Sequence, residues 1–502
     1  MYRIPKALWV NKLNRCYKTN MLPVSAERAL SLILSAVLGV LALDKSHGTT
    51  LQLLKKSIVE ELALTFASGP ATRFSNTANG RTHQQTPLTS YRGYQYVTYF
   101  DAERRVCLGR RKLPEGSWEI IQFKDHRLES NDSHNSAVIG ICDKDGTIHM
   151  AFDHHATQLN YRVSRLGAAH DPGAVDWNSE LFGPIMHTLG SVKPNKQVTY
   201  PRFFSASNGN LMLYYRAVTS ADGDGMIEEY DGERHDWTPN LGKFIARNIG
   251  TYTVNGKTSI TRCPYMDTLS YTGDRLHASW IWRDRFEKTD PANQHDLCYA
   301  YSDDHGRTWH NSAGEIIGKT GNQFIHLNST GLVVAPIPIR SGLSNQNTHY
   351  AYDDGSIHVV LRHYVKGTQT SCYNHYWRVS NGHWKHEVLP FTGDRPKLIG
   401  AVDRTLVLVY TDDEQLFIAK GHPDSHQNHW EWTDVILPQR HSIYGDAVLD
   451  LQRWEQEKVL SIYSQQEPSK VIVTSRPEPI DGFPSPLNVV DYRLLHTETA
   501  TE

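Results

Sequence analysis

A recurrent unit of short alternating strands and Asp/Gly turns runs along the chain from about residue 90 to about residue 476. Its clearest copies are DKDGTIHMAFDHH (143–155), SNGNLMLYYRA (207–217), TGDRLHASWIWR (272–283), DDGSIHVVLRHY (353–364) and DRTLVLVYTDD (403–413), with weaker copies at 93–111 and 457–475. Such a unit cannot bury its apolar face alone, so neighbouring copies must share a core. Seven copies spaced by roughly 45–70 residues favour a β-propeller of seven four-stranded blades over an array of β-sandwiches.

One copy carries a sharper turn motif. The segment SDDHGRTW, from Ser302 to Trp309, fits the Asp-box pattern SxDxGxTW without a mismatch. Asp and Gly favour the tight turn, and the Trp packs back between strands. The Asp box (BNR repeat) marks the rim of propeller blades and carries no catalysis. We therefore predict an all-β fold, a seven-bladed propeller over residues 90–490.

The N-terminal part differs in character. Ala29–Leu43 is an apolar run of 15 residues that follows several basic residues, which is too short for a comfortable membrane span and suits the core of a secretory signal. We expect residues 1–43 to be a signal-like segment of a secreted protein without stable membrane association. Residues 44–89 are predicted to be a transition segment, in which Thr50–Ala67 shows helical spacing of apolar residues.

The overall charge restricts the class of partner. The chain has 52 Lys and Arg against 54 Asp and Glu, a net charge of −2, with a pI near 7.0. No global positive field is present that would hold nucleic acid, so we exclude a nucleic-acid partner. An acidic substrate would need a local cluster of basic side chains.

Two histidines are placed at one end of a predicted hairpin. His134, in DSHN, precedes one strand, and His154 follows the next strand after a turn at Asp145-Gly146. Because a hairpin folds back on itself, both positions return to the same end. The next unit adds Tyr200, in the extended context VTYPRFF, and Arg216, in LMLYYRA. We predict that these four side chains face one funnel, although the residues alone also allow ordinary surface positions.

Motifs between Asp132 and about Trp309 carry a resemblance to a known family. They are DSHN, DGTIHMAFDHH, LNYRVS, RCPYMDT, LHASWIWR, HDLCYAYS and the Asp box. With them the chain resembles the BNR-repeat family that contains propeller-type polysaccharide lyases, and it is most similar to ulvan lyases, with rhamnose–glucuronate lyases near by. The resemblance implies an active site of two histidines, a tyrosine and an arginine, which match His134, His154, Tyr200 and Arg216.

The implied reaction is β-elimination at a uronic acid of an anionic, sulfated rhamnose–uronate polysaccharide. Elimination requires that the carboxylate is neutralised, the C5 proton removed and the departing O4 protonated. Arg216 suits the first task through a bidentate pair. Tyr200, with a pKa lowered by nearby cations, is our preferred base and would also return the proton to O4. His134 assists, and His154 positions the carboxylate.

A second cluster predicts a metal site. His277 lies in one strand, and Asp296 and Cys298 lie two residues apart in the next, where they would share one face. A Cys, His and Asp set suits Zn²⁺, and the resemblance implies a structural zinc. The resemblance leaves the fourth ligand open, and we choose His363, in VVLRHY of the next unit, for that position. A buried cysteine beside unrelated polar residues is the alternative. No organic cofactor is expected.

Further residues could line a basic groove for the polymer: Asn135, Arg262, Tyr265, Arg283 and Arg362. Each could equally serve the fold. Two other function classes stay open at this point: a sialidase-like glycoside hydrolase, because sialidases also carry Asp boxes, and a non-catalytic carbohydrate-binding propeller. A conjugated unsaturated product would distinguish a lyase from both.

Overall fold

The computed structural model of the chain describes residues 50–69, 76–81, 85–194, 197–239, 241–380, 382–401, 403–475 and 480–495. The predicted signal-like segment, with its apolar run Ala29–Leu43, lies outside these residues. Within the described ranges, no helix combines the length and the apolar character needed to cross a membrane.

Strands dominate the described residues, and their bounds follow in chain order. The first half contains β1 (Thr50–Ala63), β2 (Leu88–Tyr91), β3 (Tyr94–Phe100), β4 (Arg105–Lys112), β5 (Glu119–Arg127), β6 (Ala137–Ile141), β7 (Ile148–Phe152), β8 (His155–Thr157), β9 (Tyr161–Val163), β10 (Gln197–Ser205), β11 (Leu211–Val218), β12 (Gly223–Asp231), β13 (Asp236–Trp237), β14 (Gly242–Ile245), β15 (Tyr252–Val254) and β16 (Lys257–Ser259).

The second half contains β17 (Thr261–Thr272), β18 (Arg275–Arg285), β19 (Gln294–Ser302), β20 (Thr308–His310), β21 (Ile316–Lys319), β22 (Val333–Ala335), β23 (Thr348–Ala351), β24 (Ile357–Tyr364), β25 (Ser371–Arg378), β26 (Lys385–Val388), β27 (Lys397–Gly400), β28 (Leu406–Asp412), β29 (Gln415–Pro423), β30 (Trp430–Asp434), β31 (Val448–Leu449), β32 (Val459–Gln465) and β33 (Ser485–Leu495). The helical segments are α1 (Leu451–Glu457) and the 3₁₀ turns Pro172–Ala174, Ser179–Leu181 and Pro291–Asn293.

These strands form seven antiparallel blades and one separate hairpin, β15–β16, over the described part of the chain. Blades one to seven begin with β2, β6, β10, β17, β23, β27 and β31. From blade one to blade six, the first strand of each blade contacts that of the next, as expected around a central axis. Apolar side chains of adjacent blades form the shared cores. The prediction of a seven-bladed propeller is confirmed. Each of the five clearest repeat copies covers the turn into the second strand of a blade and most or all of that strand.

The strand β1 completes the seventh blade, whose order is β1-β33-β32-β31. It pairs antiparallel with the C-terminal strand β33, so the helix predicted for Thr50–Ala67 is wrong. Register shifts along this ladder displace the alternation of side chains and give the apolar residues a near-helical spacing. Leu54, Ile58 and Leu62 are 37%, 48% and 56% exposed, so this spacing does not mark a buried helix face.

The Asp box forms the predicted turn in blade four. Asp304 accepts a hydrogen bond from the backbone N–H of Thr308 at 2.7 Å, and Gly306 has a φ of +80°, which is unfavourable for residues with a side chain. Trp309 is fully buried and stacks on Phe244 of blade three, with ring centroids 4.7 Å apart. The motif thus fastens two adjacent blades at their outer rim.

Candidate active site

Three of the four predicted catalytic residues lie together at the end of the propeller where the first strands begin. His134 precedes β6, Tyr200 lies in β10, and Arg216 is near the end of β11, which runs antiparallel to β10. The rings of His134 and Tyr200 are 5.8 Å apart, and the guanidinium of Arg216 lies 4.9 Å from the Tyr200 ring centroid. Neighbouring blades therefore bring an imidazole, a phenol and a guanidinium into one site.

A buried carboxylate orients two histidines at this site. Asp132 Oδ1 is 2.5 Å from Nδ1 of His134, and Asp132 Oδ2 is 2.7 Å from Nδ1 of His155. The two imidazoles stack with centroids 4.3 Å apart. The ionised carboxylate of Asp132 accepts an N–H from each Nδ1, which sets both imidazoles in the tautomer that carries its basic lone pair on Nε2. Asp132 and His155 were not among the predicted site residues, although DSHN and DHH contain them.

The register of the hairpin explains why His155, and not the predicted His154, joins His134. Strands β6 and β7 pair Ala137 with Phe152. Continuing this register beyond the strand ends places His134 opposite His155, and a shift of one residue would turn the side chain to the other face. The prediction from the 20-residue spacing was therefore one residue out.

His154 instead fills a polar niche inside the blade. It is 1% exposed, and its Nδ1 and Nε2 lie 3.1 Å from Thr157 Oγ1 and 3.2 Å from the carbonyl oxygen of Asn160. Burial lowers the pKa of His154 to about 4. A neutral histidine with both ring nitrogens occupied serves the local structure and not a substrate.

Tyr200 has a strained backbone that aims its side chain. Its φ is +54°, and the β10–β11 ladder shifts register between Thr199 and Arg202. The extended conformation predicted for a residue before proline is therefore wrong here, because a β-bulge overrides that preference. The hydroxyl of Thr199 accepts a hydrogen bond from the backbone N–H of Ala156 at 2.8 Å, which ties the strand of Tyr200 to the segment of His155. Strained residues of this kind concentrate at functional sites.

Two guanidinium groups enclose a tyrosine next to Tyr200. Arg216 and Arg283 lie 4.4 Å and 4.2 Å from the ring centroid of Tyr265. A sugar therefore cannot stack on Tyr265 where these guanidiniums contact the ring. Arg216 is 1% exposed and donates from Nη2 to the carbonyl oxygen of Ser220. Its Nε and Nη1, and Nε of Arg283, are buried without a hydrogen-bond partner among the described residues. Unpaired buried donors are costly, so this pair is suited to receive an anion.

The site keeps Tyr200 protonated and His134 neutral. Burial raises the pKa of Tyr200, and the charges of Arg216, Arg283 and Arg395 oppose that rise without reversing it. The lowered phenol pKa predicted from the sequence is therefore wrong for the free protein. Burial also lowers the pKa of His134, although Asp132 acts in the opposite direction. A neutral imidazole beside a neutral phenol offers one base and one acid.

The other predicted groove residues mainly hold the fold. Asn135 donates to the carboxylate of Asp153 at 2.5 Å. Arg262 is fully buried, pairs with Asp284 at 3.2 Å and donates to backbone carbonyls of the preceding loop, so it is not accessible to a polymer. Arg362 donates to a backbone carbonyl before β27 at 2.7 Å. Arg283 is the predicted groove arginine that lies beside Tyr200.

The predicted metal ligands do not converge. In the β18–β19 ladder His277 faces Tyr301, whereas Cys298 faces Trp280. Directly paired residues point to the same face, so Cys298 shares a face with Trp280. His277 lies three positions before Trp280 in the same strand and therefore points to the opposite face. Asp296 sits at the irregularity of this ladder with a φ of +55°, which breaks the alternation that was expected to align it with Cys298.

Other partners occupy the histidines of that set. His277 Nδ1 lies 2.8 Å from the hydroxyl of Tyr299, and His363 Nε2 lies 2.8 Å from the hydroxyl of Tyr376. These residues do not fit a shared zinc ion. Over the described ranges, one group of three possible ligands has all its ligand atoms within 4.8 Å of one another, and it consists of Asp132, His134 and His155.

Comparison with known proteins supports the resemblance inferred from the motifs. Residues 94–391 match the profile described as BNR repeat-containing family member. The long isoform of ulvan lyase from Pseudoalteromonas sp. (strain PLSV) is 26% identical over 271 residues, which cover 45% of this chain and 26% of that protein. The short isoform from Alteromonas sp. (strain LOR) is 25% identical over 273 residues, covering 45% and 49%. The chain thus spans about a quarter of the length of the long isoforms.

Solved structures share the architecture. The polysaccharide lyase Uly1 superposes with a TM-score of 0.68 at 17% identity, covering 88% of this chain and 99% of that one. A PL25 ulvan lyase bound to -[GlcA(1-4)Rha3S]- superposes with a TM-score of 0.54 at 12% identity, covering 88% and 96%. At this level of identity the likeness shows the fold. Because the family profile spans more than half of the sequence, including the blades that carry Tyr200 and Arg216, the chain belongs to the BNR-repeat family.

Proposed function

We propose that the protein is a secreted polysaccharide lyase that cleaves an ulvan-like rhamnose–uronate polymer by β-elimination. One observation carries the proposal: Arg216 and Arg283 offer buried, unpaired donors directly beside Tyr200 and the His134–His155 pair. A carboxylate held by two guanidiniums next to an acid and a base is what elimination at a uronate requires. Relatives and structural neighbours named as ulvan lyases support the same substrate class.

The two guanidiniums would act on the acidity of the substrate. As the C5 proton leaves, negative charge spreads from C5 into the carboxylate group. Donors already fixed around that carboxylate stabilise the charge where it develops and need little reorganisation. Tyr265, between Arg216 and Arg283, would hold both cations at fixed positions.

The proton transfers follow from the protonation states. The Nε2 of His134 or His155 takes the C5 proton, the C–H electron pair forms the C4=C5 double bond, and the C4–O4 bond breaks. The neutral phenol of Tyr200 donates its proton to the departing O4. A bound carboxylate would favour the protonated phenol further. The base role thus moves from Tyr200, the preferred base from the sequence, to a histidine, while the return of the proton to O4 stays with Tyr200.

The direct test is an assay of ultraviolet absorbance on ulvan and other uronate polymers. A lyase generates a conjugated unsaturated uronate that absorbs, and we expect absorbance and new chain ends to rise together. A sialidase-like hydrolase would produce new reducing ends without absorbance, and a binding propeller would produce neither. Either of these results would contradict the proposed function.

Adjacent histidines provide a sharper internal test. We expect His155→Ala to lower kcat by about 10²-fold, as typical for loss of a group in acid–base catalysis, with a thermal midpoint near that of the unmodified protein. His154→Ala should instead lower the thermal midpoint, because it removes two buried hydrogen bonds, at about 1 kcal/mol each. Activity and melting curves of both variants check this, and a larger kcat loss in His154→Ala would return the catalytic role to that residue.

A further inference from the structure

A short loop before the first strand of blade six, Phe391–Arg395, is firmly held at the active-site end of the propeller. Arg362 donates to the carbonyl oxygen of Gly393 at 2.7 Å, and the hydroxyl of Tyr373 donates to that of Asp394 at 2.5 Å. Gly393 leaves no room for a side chain, because a Cβ would lie 2.4 Å from a carbonyl oxygen of β28. The loop therefore presents its last residue, Arg395, in a defined position.

One edge of the Arg395 guanidinium is anchored by an asparagine. Its Nε and Nη2 donate to the backbone oxygen and to Oδ1 of Asn345, both at 2.8 Å. Asn345 in turn donates to Oε1 of Gln294 at 2.9 Å, which orients the amide. Nη1 of Arg395 forms an ion pair with the buried carboxylate of Asp446 at 4.0 Å, a distance too long for a hydrogen bond. The Arg395 side chain is 31% exposed, so a solute can reach it.

The charge of Arg395 acts on both His134 and Tyr200. Burial is the main cause of the lowered pKa of His134, and Arg395 adds to it. Arg395 also opposes the rise that burial causes in the pKa of Tyr200. Because Arg216 and Arg283 stand in blades three and four and Arg395 precedes blade six, the funnel has positive charge at two separate points around its axis.

We propose that Arg395 forms a second anion-binding subsite, which receives a sulfate ester or carboxylate on a sugar adjacent to the one held by Arg216 and Arg283. This rests on the proposed function. A polyanion presents charges at intervals along its length, so two fixed cationic points would select such a chain and set its register over Tyr200. Because Asn345 already holds the Arg395 side chain, less conformational entropy is lost when this arginine binds an anion.

The test compares Arg395→Gln with the unmodified protein on ulvan oligosaccharides before and after chemical desulfation. We expect KM on the sulfated substrate to rise about tenfold or more, the effect of losing one charge-assisted hydrogen bond, while kcat stays within about twofold. A penalty confined to the sulfated substrate identifies a sulfate as the ligand, and a penalty on both identifies a carboxylate. An unchanged KM on both, or a loss in kcat alone, would overturn the subsite.

Two further measurements separate this proposal from its premise. Calorimetric binding of the same oligosaccharides in a Tyr200→Phe background, with and without Arg395→Gln, measures the subsite without turnover. If no polymer gives an unsaturated product, the lyase proposal fails, while the difference in binding still decides whether Arg395 forms a subsite.

Arg404→Gln is the matched control, since it removes an exposed arginine from the opposite end of blade six and should leave KM unchanged. Melting curves establish that each variant is folded.

Discussion

Replacing Asp132 with asparagine is expected to lower kcat by up to about 10⁴-fold, the effect seen when the orienting aspartate of a Ser-His-Asp site becomes asparagine. The carboxylate contacts Nδ1 of both His134 and His155, at 2.5 Å and 2.7 Å. An amide has one acceptor oxygen and one donor nitrogen, so it can keep only one histidine in its present tautomer. The other histidine would have to accept at Nδ1 and carry its proton on Nε2, where it can no longer act as a base.

The pH profile of kcat/KM shows whether Asp132→Asn acts by changing the orientation and pKa of the histidines or by damaging the structure. Burial alone would raise the pKa of Asp132, but its hydrogen bonds with His134 and His155 and their charges lower it well below its usual range. Asp132 in return raises the pKa of His134, against the effect of burial. Loss of the carboxylate should thus lower the histidine pKa further and move the acid limb of kcat/KM to lower pH.

Asp303→Asn, which removes an exposed ion pair with Arg275 on the rim of blade four, is the control and should leave activity unchanged. The orienting role would be refuted by an Asp132→Asn enzyme within tenfold of the original rate, or by one whose acid limb does not move although its rate falls.

Tyr200→Phe is expected to lower kcat by about 10²–10⁴-fold with little change in KM, because the phenol is the proposed acid for the departing O4. The variant retains the aromatic ring that Arg216 contacts, at 4.9 Å, and makes no change to the backbone at the bulge. Only the acidic hydroxyl is lost, so folding and carboxylate binding should be preserved.

A substrate with a good leaving group at O4 distinguishes an acid from a base. Such a leaving group needs no proton, so Tyr200→Phe should be much less impaired on an O4-aryl uronate than on the polymer. Equal impairment on both would show that Tyr200 removes the C5 proton instead. Tyr271→Phe, which loses one hydrogen bond to His305 away from the site, serves as the control. Wild-type rates for Tyr200→Phe on the polymer would remove this residue from the mechanism.

The number and type of blades could be predicted from local sequence. Each copy pairs a turn that needs Asp or Gly with strands that bury alternate residues, and neither requirement depends on distant parts of the chain. The Asp box from Ser302 to Trp309 is likewise a local turn motif. Thr50–Ala63 could not be assigned in this way, since its partner is β33, more than 400 residues away, and bulges in their ladder disguise the strand period.

For the site, the sequence by itself determined which chemical groups were present: histidines in DSHN and DHH, a tyrosine before proline, and arginines at strand ends. Tertiary structure decided which of them meet. The β6–β7 register selects His155 over His154, the bulge at Tyr200 aims its ring, and the β18–β19 ladder puts His277 and Cys298 on opposite faces. The physical reason is common to all three. Side chains alternate between the two faces of a sheet, so a shift of one residue turns a side chain from one face to the other. Neither composition nor sequence spacing reveals such a shift.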